Sequence, residues 1–287
     1  MNFLANWPTL VAISVITYAV SVLLQKVILR DDKSDPVAFA VVFQALVGLV
    51  IGAAALVHGF SLPDLSHYWV NVVLMVILYG VGNICVFHAL KIIEASTFTI
   101  LLASRALWTI IGALLLLGES YTWLRLAGAL LIISSIVLVS WKRRQKLALG
   151  KGEVFSLLAA LFFGLAFVND AFIIRGSDVL SYEAIAFVLP TIGILIAQPQ
   201  AVKKIPHLLR KDSIMKLALL SAFYGVSAVT VFTAYKVGHN AAQIAPLEQT
   251  TTIVTVVLSI IFLKEKTALV RKSLGTVLSF VGIMLVG

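Results

Sequence analysis

One stretch of the chain occurs twice, as LYGVGNICVFHALK at residues 78–91 and as FYGVSAVTVFTAYK at residues 223–236. The YGV triplet, a phenylalanine, an alanine and the final lysine coincide without a gap, so that Tyr79 aligns with Tyr224. Each copy lies in an apolar run long enough to cross a bilayer, since a hydrocarbon core ~30 Å thick needs ~20 helical residues. The repeat therefore predicts two halves with the same membrane-spanning architecture.

Apolar runs of this kind fill the whole chain. The sequence is 61% hydrophobic and only 12% charged, about half the charged share of an ordinary soluble domain. We predict ten spans, at residues 7–29, 37–58, 68–90, 98–117, 123–141, 154–174, 182–197, 214–235, 245–263 and 274–286.

Five spans in each half give the repeat an inverted topology. Because five crossings are an odd number, the second half enters the membrane in the opposite sense to the first. We therefore predict an all-α integral membrane protein with ten transmembrane helices in two inverted five-helix repeats, at residues 1–146 and 147–287. The join at residues 142–152 is a short basic segment with two glycines.

The net charge of +9 is explained by topology rather than by nucleic-acid binding. With ten spans, the side that holds both termini receives only Arg125, Arg175 and Lys236, and Arg105 lies inside a span. The rest of the 22 basic residues lie on the opposite side. Since basic loops stay in the cytoplasm, we expect both termini outside it.

Signatures of an enzyme are missing from the sequence. The five histidines are scattered without metal-ligand spacing, and one cysteine cannot form a cysteine-based metal site. There is no Gly-x-Ser-x-Gly elbow and no nucleotide-binding glycine-rich loop. We therefore expect no enzymatic activity, no metal site and no cofactor.

Two charged residues lie deep in predicted spans, where each costs ~2.5–3.5 kcal/mol unless it faces protein or water. Arg105 lies near the middle of the fourth span and Glu248 in the ninth, at nearly corresponding positions of the two halves. They could form a structural ion pair, or bind the two ends of a zwitterion, with Glu248 as a candidate proton acceptor. Arginine suits a carboxylate because its planar fork donates two hydrogen bonds.

Other polar and aromatic residues near the midplane are candidates for substrate binding. Thr252 follows Glu248 by one turn, on a polar stripe that continues along the ninth span. Tyr79 and Tyr224 lie too deep for an interfacial aromatic belt, and each buried phenol needs a hydrogen-bond partner. With Asn83 and Trp108, these residues are expected to line a midplane cavity; packing within the core is the alternative for each.

Two further carboxylates lie near predicted span ends. Asp170 is a second candidate for proton coupling, although an interfacial acid near the end of the sixth span is the alternative. Glu183 stands at the start of the seventh span, where the helix dipole favours a carboxylate, and we interpret it as structural.

The sequences at the ends of the fourth and ninth spans resemble those of a known protein family. Leu117-Gly118-Glu119 and Leu263-Lys264-Glu265 are each followed by a glycine that opens the last apolar helix of its half, Gly128 or Gly275, and Pro246 begins the ninth span. This pattern resembles the EamA-type repeat of the drug/metabolite transporter superfamily. The resemblance implies ten helices in two inverted repeats and secondary transport of amino acids, metabolites, sugars or drugs. Many such proteins keep both termini in the cytoplasm, contrary to the charge distribution here.

Together these features predict a secondary transporter, and more specifically an exporter, of a small polar or amphipathic metabolite such as an amino acid. Inverted repeats supply two equivalent conformations, each open to one side. A lipid-head-group flippase or a membrane scaffold is the alternative. We expect a small-molecule substrate and membrane lipids as partners, no nucleic acid, a monomer or homodimer, and a multi-pass location in the bacterial inner membrane.

Overall fold

The structure of the protein is a computed structural model, which describes residues 6–62, 66–116, 122–140, 149–174, 177–238 and 241–286. Within these ranges the regular secondary structure is helical, without a strand, and short connections join the helices. The helices are α1 (Trp7–Leu29), α2 (Pro36–His58), α3 (Trp69–Ile92), α4 (Ala95–Leu102), α5 (Arg105–Leu116), α6 (Trp123–Ser140), α7 (Lys151–Ile174), α8 (Val179–Ala197), α9 (Ile205–Leu208), α10 (Lys211–Gly238), α11 (Ala241–Phe262) and α12 (Leu269–Val286), with a 3-10 turn at Pro199–Lys204.

Seven helical segments of the described chain are long and apolar enough to cross a membrane. They are Trp7–Leu29, Pro36–His58, Trp69–Ile92, Ala95–Gly112, Lys151–Ile174, Val179–Ala197 and Ser213–Tyr235. The spans predicted at 123–141 and 245–263 correspond to shorter apolar helices, Leu126–Ser140 and Thr250–Phe262. The span predicted at 274–286 lies within α12. An all-helical architecture with several spans is therefore present.

Local sequence explains where helices begin. Asp35 caps α2, because its carboxylate accepts hydrogen bonds from the backbone N–H groups of Val37 and Ala38, both at 3.0 Å, and Pro36 follows at the first helical position. Burial would raise the pKa of Asp35, but its hydrogen bonds with Lys204 and Ala38 outweigh that effect and hold the pKa below its ordinary value. Asp178 caps α8 in the same way, accepting from the Ser181 N–H at 2.9 Å.

The fourth predicted span is interrupted in its middle. α4 ends at Leu102 and α5 begins at Arg105, and the turn between them is closed by short-range bonds, including Ser104 N–H to the Leu101 carbonyl at 3.1 Å. The Ser104 hydroxyl also donates to Leu101 O at 2.7 Å. This break places Arg105 at the start of a helix inside the bundle rather than within a regular helical turn.

The helices pack in pairs that bring the two halves together. α1 packs against α10 and α11, and α7 packs against α3 and α5. α2 contacts α8, and α6 contacts α12. The largest core cluster includes Phe39, Phe43 and Phe87, whose rings meet edge to face at 4.7 Å and 5.3 Å across α2 and α3.

Polar contacts join the connections at one end of the bundle, which we call the basic end (residues 30–35, 91–96, 198–211 and 263–272). The Lys26 ammonium donates to the Leu90 and Ile93 carbonyls at 2.6 and 2.7 Å, and Lys204 pairs with Asp35 at 2.6 Å. At the opposite end, Asn71 donates to Asn169 at 2.9 Å. Alternate connections of the described chain therefore lie at opposite ends of the bundle.

Close approach of α6 and α12 depends on a glycine. A Cβ added at Gly282 would lie 2.8 Å from the backbone oxygen of Gly128 and 2.8 Å from Ile132 Cγ1. Backbone cannot yield as a flexible side chain can, so the two helices would have to separate. The side chain of residue 282 is thus limited to hydrogen by the packing of these two helices.

We expect Gly282→Ala to lower the free energy of unfolding by about 1–3 kcal/mol and the melting temperature by several degrees. Gly52→Ala is the matched control, because a Cβ at Gly52 in α2 would meet only Ala184 Cβ, at 3.8 Å. Melting temperatures of the purified variants check this. Equal shifts in the two variants would contradict the close helix contact.

Candidate functional site

A cavity of about 260 Å³ lies at the centre of the bundle. Its wall is formed by α1, α3, α4, α5, α7, α8, α10 and α11, so that both halves contribute. The polar and charged side chains that line it are Ser14, Tyr18, Tyr79, Asn83, Thr99, Arg105, Glu183, Tyr224, Ser227, Glu248, Thr251 and Thr252.

The structure brings six of the seven predicted binding residues to this cavity. Tyr79, Asn83, Arg105, Tyr224, Glu248 and Thr252 all line it. Trp108 does not line the cavity. It packs in the core against α7, where its Cβ lies 2.5 Å from the position that a Cβ would take on Gly164.

Arg105 presents an unpaired cation to the cavity. Within the described part of the chain its guanidinium donates no hydrogen bond and forms no ion pair, and it lies over the Phe167 ring, 5.2 Å from Cζ to the centroid. Such a contact is worth ~0.5–2 kcal/mol, and it leaves all five N–H donors available. The guanidinium is therefore placed to bind an anionic group that enters the cavity.

Glu248 lies on a different wall and is not paired with Arg105. Its carboxylate accepts a hydrogen bond from the Tyr235 hydroxyl at 3.2 Å, and no Arg105 to Glu248 ion pair is present. The structural ion pair considered from the sequence is thus absent from this conformation. One turn further along α11, Thr252 is buried and lines the same cavity.

Aromatic rings and an amide form the neutral part of the wall. The Tyr224 ring contacts Tyr18, Phe43 and Phe187 at centroid distances of 5.6, 5.1 and 5.5 Å. The Asn83 amide donates to Gln44 Oε1 at 3.3 Å and to the Tyr79 carbonyl at 2.9 Å. Rings held on several sides in this way have few alternative rotamers and make a fixed surface for a ligand.

Asp170 is buried rather than interfacial, with 4% of its surface exposed. Its two carboxylate oxygens accept from the Tyr79 and Tyr182 hydroxyls, each at 2.5 Å. Two donors of this kind stabilise a carboxylate without a cation. The sequence predicts that the buried Tyr79 phenol needs a hydrogen-bond partner. That partner is the Asp170 carboxylate, and the bond joins α3 to α7.

A second space continues from the cavity toward the end opposite the basic end. It is lined by Phe167, Asp170, Ala171, Ile174, Glu183, Val231, Phe232, Tyr235 and Glu248. Glu183 and Glu248 line both spaces, so they stand where the inner cavity meets the outer space. Arg105 lines only the inner cavity.

Glu183 is the principal site residue that sequence reasoning missed. Asp178, not Glu183, caps α8, and Glu183 lies one turn inside the helix with Phe187 on the same face of the cavity. The capping pattern of Asp178 followed by Ser181 is the signal that would have placed the helix start earlier. Among the described residues, no group of three or more His, Cys, Asp or Glu residues is arranged to hold a metal ion.

Comparison with known proteins assigns the chain to a family. A family model described as "EamA-like transporter family" matches the sequence twice, over residues 6–141 and 150–287. The chain belongs to the EamA-like transporter family. The chain is therefore an integral, multi-pass membrane protein of a transporter family within the drug/metabolite transporter superfamily, and the members of this family are not enzymes.

A solved structure shares the fold of this EamA-like protein. It is described only as "Crystal structure of protein", has 13% sequence identity and a TM-score of 0.55, and the alignment covers 96% of each chain. A search of curated proteins found no match. Leu117 to Glu119, in which the sequence resemblance was seen, lies outside the described residues.

Proposed function

We propose that this EamA-like protein is a secondary transporter that exports a small zwitterionic metabolite, such as an amino acid, across the bacterial inner membrane. The observation that carries the proposal is the unpaired guanidinium of Arg105 inside a central cavity, with the carboxylate of Glu248 on another wall. A zwitterion with one carboxylate and one ammonium group complements these two charges. Tyr79, Asn83, Tyr224 and Thr252 would bind the remaining surface of the substrate.

The inner cavity is large enough for a small metabolite, and a second space of about 590 Å³ continues from it. About 260 Å³ is the volume of roughly nine water molecules and lies just below the ~300–1,000 Å³ range of drug-sized pockets. Without any motif for ATP hydrolysis, transport would draw on an ion or substrate gradient. Glu248 is the first candidate for proton coupling because its carboxylate lines both spaces and accepts a hydrogen bond from Tyr235, and Asp170 is the second.

We further propose that residues 1–146 and 147–287 are inverted five-helix repeats that rock against each other. Helix packing supports this. In the two repeats α1 corresponds to α7 and α3 corresponds to α10, so the contact of α1 with α10 is matched by the contact of α7 with α3. Likewise α5 corresponds to α11, so the contact of α1 with α11 is matched by the contact of α7 with α5. The conformation supports alternating access too, because the basic end is joined by polar contacts while the cavity continues toward the opposite end.

A ligand screen on the purified protein tests the proposed substrate class. We expect amino acids to raise the melting temperature, since a ligand at a hundred times its Kd stabilises the native state by about 2.7 kcal/mol. Nucleosides, sugars and cationic drugs serve as the comparison, and an amino-acid amide, which lacks the carboxylate, should bind more weakly than its parent. Efflux of the stabilising ligand from proteoliposomes then tests transport.

Two outcomes would contradict the proposal. Stabilisation by phospholipid head groups, with none by soluble metabolites, would favour a flippase. Binding without efflux would favour a membrane scaffold. Cross-linking in the bilayer would distinguish the monomer from the homodimer, for both of which the proposal allows.

A further inference from the structure

The zwitterion proposed above has no group that would pair with Glu183, although Glu183 lies beside the site. Its side chain is half-buried and lines both spaces. Within the described residues its carboxylate accepts no hydrogen bond and forms no ion pair. A carboxylate inside a membrane protein is costly unless it has a partner, so the site as occupied by a zwitterion leaves one acidic group unmatched.

Glu183 and Glu248 lie on two helices that do not pack on one another. Glu183 is on α8 and Glu248 is on α11, two helices that make no substantial contact, yet both side chains line the junction of the two spaces. The two carboxylates therefore approach the junction from separate walls. Arg105 lies on the inner side of this junction, so a ligand bound to all three residues would extend from the inner cavity into the junction.

The charges of the two spaces are unbalanced. Of the described residues that line them, Arg105 is the one with a basic side chain, whereas Asp170, Glu183 and Glu248 are acidic. Asp170 already accepts two phenolic hydrogen bonds and needs no further partner. Glu183 and Glu248 remain, so the site as a whole offers places for one anionic and two cationic groups.

We propose, on the basis of the function proposed above, that the site selects diamino monocarboxylic acids, with Glu183 as the specificity-determining residue. The substrate carboxylate binds Arg105, and its two ammonium groups bind Glu248 and Glu183. The one positive net charge of such a substrate complements the one negative net charge of Arg105, Glu183 and Glu248 taken together. A monoamino acid can occupy the same cavity, but it leaves one of the two glutamates without a partner.

Three probes of matched size test this assignment in the wild-type protein. Lysine carries both ammonium groups and the carboxylate, norleucine lacks the second amine, and cadaverine lacks the carboxylate. A hydrogen bond to a charged group contributes ~1.5–3 kcal/mol, which corresponds to tenfold or more in affinity. We expect lysine to bind about tenfold or more tightly than norleucine, and cadaverine to bind more weakly than lysine, by calorimetric titration of the purified protein.

Substitution of Glu183 then assigns the preference to this residue. In Glu183→Gln the ratio of lysine to norleucine affinity should fall from about tenfold to about one, whereas Glu183→Asp should retain part of the preference. The melting temperature of each ligand-free variant reports whether it is folded. Equal binding of lysine and norleucine to the wild type, with both lost in Arg105→Gln, would overturn this inference and leave the proposed function standing. Absence of binding by both amino acids would overturn the proposed function as well.

Discussion

Replacing Arg105 with glutamine is expected to abolish transport while the protein still inserts and purifies. Glutamine is polar and smaller, so it is tolerated at a cavity wall, but it cannot hold a carboxylate with a charged, two-pronged donor. Removing one partner of an enclosed charge pair costs about 2–5 kcal/mol, or roughly 30-fold to several thousandfold in affinity. Uptake and efflux in proteoliposomes, measured with the melting temperature, check this result.

Arg30→Gln is the matched control for Arg105→Gln. Arg30 is exposed at the basic end, and among the described residues its side chain donates only a long hydrogen bond, 3.4 Å, to the Leu263 carbonyl. We expect this variant to transport normally, since exposed charges contribute little to stability. Equal loss of transport in both variants would indicate a general effect of lost positive charge rather than a binding role for Arg105.

Glu248→Gln and the double variant separate binding from a structural role. If Arg105 and Glu248 stabilised one another in another conformation, the double variant would regain the stability that each single variant loses. Because the two are unpaired here, we expect the single variants to keep most of their stability and the double variant to stay inactive. A double variant that transports normally would refute the binding role of both residues.

The deep charges could be predicted from sequence, but their surroundings could not. Arg105 and Glu248 stood out because a charge in an apolar run is rare and costly. The break before Arg105 gave no warning, since Ala103 and Ser104 include no proline or glycine and the apolar pattern continues through them. The spacing of Trp108 from Arg105 predicts that it lines the cavity, yet Trp108 packs against Gly164 of α7.

Contacts between distant parts of the chain explain the remaining differences. Asp170 looked interfacial because it lies near the end of a span, but it is buried by hydroxyls from Tyr79 and Tyr182. Tyr79 belongs to α3 and lies far from Asp170 in sequence, so no local pattern could reveal the pair. Glu183 was assigned to a helix start because the span was placed at 182–197, three residues after the start of α8 at Val179.

Glu265 is expected to control access to the cavity from the basic end. Its carboxylate accepts hydrogen bonds from the Ala95 N–H at 2.8 Å, the Ser96 N–H at 2.9 Å and the Ser96 hydroxyl at 2.6 Å. These groups are at the start of α4, where the helix dipole also favours an anion. Beside them, Lys272 pairs with Glu94. Glu265 thus fastens the connection after α11 to the first turn of α4.

Glu265→Ala should destabilise the conformation in which the basic end is closed more than the conformation in which it is open. The change leaves buried donors without an acceptor, at about 1–3 kcal/mol for each unsatisfied group. When the basic end opens, water can reach these donors, so the penalty falls mainly on the closed state and shifts the population by about tenfold or more. We expect a membrane-impermeant thiol reagent, added at the basic end, to label Thr99→Cys faster in the Glu265→Ala background. The parent carries Cys85→Ser.

Two variants serve as comparisons for the labelling rate, Glu265→Gln as an intermediate and Lys204→Met as a control. Glutamine retains one acceptor oxygen, so its labelling rate should fall between the parent and Glu265→Ala. Lys204 makes an exposed ion pair with Asp35 at the same end, and exposed pairs contribute only ~0–1 kcal/mol, so Lys204→Met should label as the parent does. If Glu265→Ala lowers the melting temperature without changing the labelling rate, then Glu265 stabilises the fold and does not control access from the basic end.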